Sequence, residues 1–214
     1  RGAHVEACGA PNGIGLVKLM GRDAGFIAAG AALANQEANF VLVPEVPFPI
    51  DGENGFLRCL ERRMLTRGHA LVVVAEGAGQ HLFQGDNQAR DASGNVRYQD
   101  IGVYLRDQIK AHFGERHIEV NLKYIDPSYS IRSIPASAWD RTLTDQMARS
   151  AVHAALAGKT DVMIGWWNQS IIHVPISTAV GEKKRMPLDS DLWSAVLATT
   201  GQPNWQPDAE NGGE

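Results

Sequence analysis

The residues able to do chemistry in this chain fall at three places. Met20-Gly21-Arg22-Asp23 closes an apolar run, with Gly25 two residues further on. Glycine lets a ligand approach the backbone, and arginine offers a planar fork that matches an anion such as phosphate. The same tetrapeptide also reads as a tight turn, with Asp23 capping the following helix and Arg22 solvated. Ala75-Glu76-Gly77 ends a second apolar run. A carboxylate placed there can accept hydrogen bonds from sugar hydroxyls, pair with a lysine or cap a helix. The third place is Lys123-Tyr124-Ile125-Asp126-Pro127-Ser128-Tyr129-Ser130-Ile131-Arg132. Lys123 and Arg132 can neutralise a phosphate and a tyrosine hydroxyl can orient it; the alternative is a polar loop whose cations face water.

Other candidates are weaker. His153 and His173 sit on apolar patterns and read as core or edge histidines. No His, Cys, Asp or Glu set has metal-ligand spacing, and Asp86 and Asp91 lack a calcium-loop pattern. There is no Walker loop, nucleophile elbow or GxGxxG fingerprint, which disfavours a generic dinucleotide-binding domain. Trp166-Trp167-Asn168 allows an aromatic platform, but reads better as one Trp toward the core and one at a sheet edge.

The three places must be held by regular elements. Compact runs rich in Val and Ile at 15–21, 39–45, 69–77, 117–125, 161–167 and 170–176 suit strands of a sheet covered on both faces. Helical patterns lie between them at 23–35, 54–68, 100–114 and 137–158. Gly68, Gly114 and Gly158 stand where helices stop. The alternation predicts an α/β fold, a Rossmann-like three-layer α/β/α sandwich on a mostly parallel sheet. In such sheets ligands gather at the carboxyl ends of strands, where all three stretches fall. Residues 77–99 form a polar, glycine-bearing connection of unusual length. The expected division is a folded portion over 1–201 and a C-terminal tail over 202–214.

Bulk properties narrow the function. A formal net charge of −4 gives no electrostatic reason to expect nucleic acid or an anionic membrane as partner. Two cysteines, Cys8 and Cys59, suit a reducing compartment. No apolar stretch approaches a membrane span and no signal sequence opens the chain, so a cytoplasmic protein is expected. The chain opens RGAHVEACGAPNG, without an initiator Met, and reads as though it starts in mid-protein.

In order and spacing, APNGIGLVKLMGRDAGFIA (10–28), VVVAEGAGQ (72–80) and KYIDPSYSIRSIPASAWD (123–140) resemble the 6-phosphofructokinase family. The likeness is to its plant, protist and pyrophosphate-related branch. AVHAALAGKTDVMIGWWN, IIHVPI and DLWSAVLATTGQP extend it over nearly the whole chain, although the paired Trp166-Trp167 and Gln169-Ser170 depart from it. The resemblance implies phosphoryl transfer from ATP, or from pyrophosphate, to the 1-hydroxyl of fructose 6-phosphate in glycolysis. It implies that Met20, Gly21 and Arg22 meet the sugar phosphate, that Glu76 accepts a sugar hydroxyl, and that Tyr129 and Arg132 hold the 6-phosphate. Lys123 matches a cation that reaches a neighbouring subunit's site in a homodimer or homotetramer. Arg22 would also stabilise transition-state charge. The family's GGDG-type nucleotide loop, magnesium aspartate and TIDND-like segment with the catalytic base do not occur in the sequence. The implied Mg2+ and ATP ligands therefore fall outside this chain, which alone is expected to be inactive. The alternative is a non-catalytic sugar-phosphate-binding or regulatory module of the same fold.

Overall fold

The computed structural model describes residues 1–83 and 98–206, so Asp86, Asp91 and the end of the expected tail lie outside the described residues. Two compact units result. The first holds Arg1–Tyr129 and the chain from Arg185 onward; the second is Ser130–Lys184.

The first unit is built on four parallel strands: β1 (Gly13–Leu19), β2 (Phe40–Leu42), β3 (His69–Ala75) and β4 (Asn121–Ile125), in the order β2-β3-β1-β4. Side chains alternate across the sheet, as the strand period requires. Ile14, Leu16, Phe40, Leu42, Val72 and Val74 meet helices α3 (Phe56–Arg67) and α4 (Ile101–Glu115) on one face. Leu19, Val41, Leu71 and Val73 meet α2 (Phe26–Asn35) and α8 (Asp191–Thr200) on the other. In α4 the stripe Ile101, Leu105, Ile109 and Phe113 is fully buried. This is the expected three-layer arrangement. One further helix, α1 (Gly2–Gly9), precedes β1. Residues 202–206 are packed: the Gln202 side chain accepts from the Val41 N–H (2.6 Å) and donates to the Val41 carbonyl (3.1 Å), satisfying the open edge of β2. Trp205 lies against Phe48 and donates to the Asn54 carbonyl at 2.8 Å.

Several expectations need correction. β4 is an edge strand with Asn121 and Lys123 exposed, so it is not covered on both faces. Helix α4 runs through Gly114 and ends one residue later.

The second unit carries α6 (Ala138–Leu156), β5 (Val162–Trp167), β6 (Ser170–Pro175) and α7 (Ile176–Val180); α5 (Ser128–Ser133) spans the junction. β5 and β6 were expected in the covered sheet, but among the described residues they pair only with each other, antiparallel, and neither is buried. The cause is local. Asn168 and Gln169 both take positive φ (46° and 62°), which closes a two-residue hairpin whose twist matches its strands. Trp166 meets Trp139 edge-to-face at 6.4 Å while Trp167 is exposed. His153 and His173 are exposed, which excludes the core reading and leaves the edge reading for His173 on β6. No described helix is long and apolar enough to cross a membrane.

Candidate functional site

The connection after β1 leads through α2 on one face of the sheet toward β2, and the connection after β3 leads through α4 on the other face toward β4. β1 and β3 are neighbours, so their exits diverge and leave a crevice at their carboxyl ends, where open α/β sheets take ligands. The first two predicted stretches sit there. The Glu76 N–H donates to the Leu19 carbonyl (2.9 Å) and the Gly77 N–H to the Gly21 carbonyl (3.0 Å), lacing the two loops together. Gly21 adopts φ +142°, a region L side chains rarely enter, and a Cβ there would stand 2.8 Å from the Ala24 carbonyl oxygen. At Gly77 a Cβ would overlap the Arg22 carbonyl outright. Both glycines are therefore required for Met20-Gly21-Arg22 and Glu76 to lie side by side.

Arg22 stacks over the Tyr98 ring, 4.7 Å from its centre. The Tyr98 hydroxyl donates to Asp23 at 3.1 Å. Burial and the Asp23 carboxylate push the Tyr98 hydroxyl's pKa up, against the opposing charges of Arg22 and Arg185. Asp23 is thus committed to Tyr98, and the N-cap of α2 is Gly25, whose N–H meets both oxygens of Glu45 at 3.0 Å. Glu45 also accepts from the Met186 N–H at 2.8 Å, which ties the chain entering α8 to the start of α2.

Lys18 supplies the frame on the other side. It is the one charged residue of β1, its side chain is 13% exposed, and it bridges Asp100 (2.8 Å) and Asp126 (3.0 Å). Asp100 caps α4 by accepting from Gly102 and Val103, and Asp126 accepts from the Ser128 N–H (3.1 Å) at the start of α5. Burial disfavours the Lys18 charge, yet its hydrogen bonds to Asp100 and Asp126 outweigh this and hold the ammonium well above the usual range. Burial likewise works against both carboxylates. Ser128 and Lys18 pull Asp126 below the normal range, and Lys18 and the α4 N–H groups do the same for Asp100.

The remaining predicted residues are Lys123, Tyr129 and Arg132. Lys123 is exposed and pairs with Gly15, four residues or about 13 Å short of the end of β1. Tyr129 is 86% exposed at the close of the first unit, and Arg132 belongs to the second. Tyr98, Glu45, Arg185 and the Lys18 cluster were not singled out from the sequence. Only Lys18 had a signal there: a cation inside a buried strand must find partners. Of the described carboxylates near the crevice, Asp23 is engaged by Tyr98, Glu45 by Gly25 and Met186, and Asp100 and Asp126 by Lys18, which leaves Glu76 as the one offered to a ligand.

A phosphofructokinase family model matches residues 3–155. The ATP-dependent 6-phosphofructokinase of Borreliella burgdorferi is 49% identical over 208 residues, covering 94% of this chain and 46% of that protein. That of Amycolatopsis methanolica is 49% identical over 205 residues, covering 93% and 45%. The chloroplastic ATP-dependent 6-phosphofructokinase 5 of Arabidopsis thaliana is 42% identical over 203 residues, covering 95% and 38%. The chain thus spans less than half the length of these relatives. Among solved structures, the pyrophosphate-dependent phosphofructokinase of Nitrosospira multiformis aligns with a TM-score of 0.58 at 24% identity, over 92% of this chain and 50% of that one, a likeness of fold.

Proposed function

The chain belongs to the phosphofructokinase family, and on that premise we propose that it supplies the acceptor side of a 6-phosphofructokinase. It holds fructose 6-phosphate while the sugar's 1-hydroxyl attacks the terminal phosphorus of ATP. The P–O bond to the ADP leaving group breaks and the hydroxyl proton passes to a base. The observation that carries the reading is the lacing of Gly21 to Gly77, which sets Met20-Gly21-Arg22 beside Glu76 at the switch point of the sheet.

Each residue has a role fitted to its chemistry. Glu76 accepts from a sugar hydroxyl, and its place at the end of a buried strand keeps it from wandering. The backbone at Met20 and Gly21 allows close approach, and Arg22 offers its fork to phosphoryl oxygens as charge builds on them. Stacking on Tyr98 limits the conformations Arg22 must give up on binding. Tyr129 and Arg132 are assigned to the 6-phosphate on the KYIDPSYSIR motif. The position of Lys123 on an exposed edge strand supports a role toward a neighbouring subunit of a homodimer or homotetramer. Mg2+ supplies neutralisation of the transferring phosphoryl group in this chemistry. The donor-side residues are assigned to the part of the relatives' length that this chain does not span. ATP is favoured over pyrophosphate because the 49% identical relatives carry ATP in their names. A cytoplasmic setting belongs to the same proposal. A non-catalytic sugar-phosphate module is the second reading, since the chain covers under half of its relatives.

The test is thermal. Fructose 6-phosphate at a hundred times its Kd contributes about 2.7 kcal/mol by linkage, which raises Tm by roughly 5–10 °C for a chain of this size. Glu76→Gln and Arg132→Ala are expected to remove most of the shift. An unchanged shift in both variants counts against the assignment.

A further inference from the structure

Helix α1 lies directly against β1. A Cβ on Gly15 would stand 2.8 Å from the Ala3 carbonyl oxygen, and one on Gly13 would overlap the Ala7 carbonyl. This close seating brings the α1 face carrying His4 and Cys8 over the amino end of the sheet, where Gly13 pairs with His69. His4 and Cys8 are four residues apart and share one side of the helix. The Cys8 Sγ lies 3.3 Å from His4 Nε2, and the His4 and His69 rings meet edge-to-face at 5.6 Å. The ligand atoms of His4, Cys8 and His69 all fall within 4.8 Å of one another. Around a tetrahedral zinc ion, with Zn–S near 2.3 Å and Zn–N near 2.05 Å, two such atoms stand about 3.4–3.6 Å apart. Small side-chain adjustments therefore close the set.

Two details of the imidazoles point the same way. His69 Nδ1 lies 3.1 Å from the Arg67 carbonyl, the hydrogen bond that fixes the ring as an Nδ1–H tautomer and leaves Nε2 with its lone pair. Ligating histidines are oriented by such an outer partner. His4 Nδ1 is buried without a hydrogen-bond partner, and a buried polar atom in that state calls for a water or an ion. We propose that His4, Cys8 and His69 form a binding site for a thiophilic divalent ion of the Zn2+ type, with water as fourth ligand. Binding forms an S–metal bond and sends the Cys8 thiol proton to solvent. The resulting thiolate offsets one of the ion's two charges and pairs electrostatically with nearby Arg63. The site fastens α1 to the start of β3, at the end of the sheet opposite the β1–β3 crevice, and so acts as a structural clasp independent of the sugar-phosphate reading.

Cobalt is the probe. One equivalent of Co2+ added to the full 214-residue chain is expected to give tetrahedral d–d bands and a near-ultraviolet thiolate-to-cobalt charge-transfer band, both removed by Zn2+. Cys8→Ser abolishes the charge-transfer band, His69→Gln weakens Co2+ binding at least tenfold, and Cys59→Ser leaves both unchanged. Should Cys8→Ser fail to fold, alkylation of the unaltered chain decides. Stoichiometric Zn2+ slows iodoacetamide modification of exposed Cys8 at least tenfold, with buried Cys59 as internal reference. Absence of a charge-transfer band, its survival in Cys8→Ser, undiminished binding by His69→Gln, or unprotected Cys8 overturns the proposal.

Discussion

Two glycines decide what the site can be. At Gly21 and Gly77 the obstacle to a side chain is backbone, which cannot swing aside as the end of a flexible side chain can. Gly77→Ala is therefore expected to force the β1 and β3 loops apart, at a cost of roughly 1–3 kcal/mol as overpacking does. The check is a urea titration together with fructose 6-phosphate binding. Both the midpoint and the affinity should fall, whereas Gly30→Ala, at a helical position where a Cβ meets open space, should leave affinity unchanged. The sequence showed that glycines flank Arg22 and Glu76, and left open whether they served a turn or a ligand. The contacts resolve the structural part: Gly77 is required by the backbone of the Arg22 loop, and Gly21 by its own turn against Ala24 together with the Cβ of Ala75. Asp23 as helix cap was a fair reading of a short motif, but Tyr98, distant in sequence, captures it, and the N-cap is Gly25 with its N–H held by Glu45.

Among the elements, what was legible followed periodicity. The alternation of Val-rich runs with four-residue apolar stripes located β1, β3, α3 and α4, because burial on two faces of a sheet leaves a strong imprint. The strands of the β5–β6 ribbon were read at 161–167 and 170–176, but their pairing escaped because a short apolar run looks the same in a covered sheet and in an exposed hairpin; Asn168-Gln169 was the distinguishing turn. The partners of Lys18 also escaped, since they lie 82 and 108 residues away from it. That cluster has a measurable signature. Asp100 and Asp126 have folded pKa values below their unfolded ones. Between those values the unfolded chain binds more protons, so stability rises with pH there, is fully present above about pH 4, and is lost on acidification below it. Lys18→Met removes the cause the two carboxylates share, leaving Ser128 to act on Asp126 and the α4 N–H groups on Asp100. The variant should show a shallower loss of stability between about pH 4 and pH 2 than the parent, followed by denaturant midpoints across that range. Equal slopes would mean that Lys18 does not hold the two carboxylates.

At the scale of the first unit, the diverging connections after β1 and β3 open a crevice at the carboxyl ends of the two strands, and Met20-Gly21-Arg22 and Glu76 lie beside it. A second feature, the His4–Cys8–His69 group, stands at the opposite end of the same strands. The sequence reading found no set with metal-ligand spacing, because His69 is 61 residues from Cys8 and becomes a neighbour of the His4–Cys8 pair only when β1 and β3 pair. The most direct test of the central claim is a calorimetric titration of the 214-residue chain with fructose 6-phosphate and, in parallel, with fructose. One molecule of fructose 6-phosphate should bind per chain, fructose should not bind detectably, and Arg22→Ala should weaken the sugar phosphate at least tenfold. Equal binding of both sugars, or an Arg22→Ala titration that overlays the parent's, would contradict the assignment.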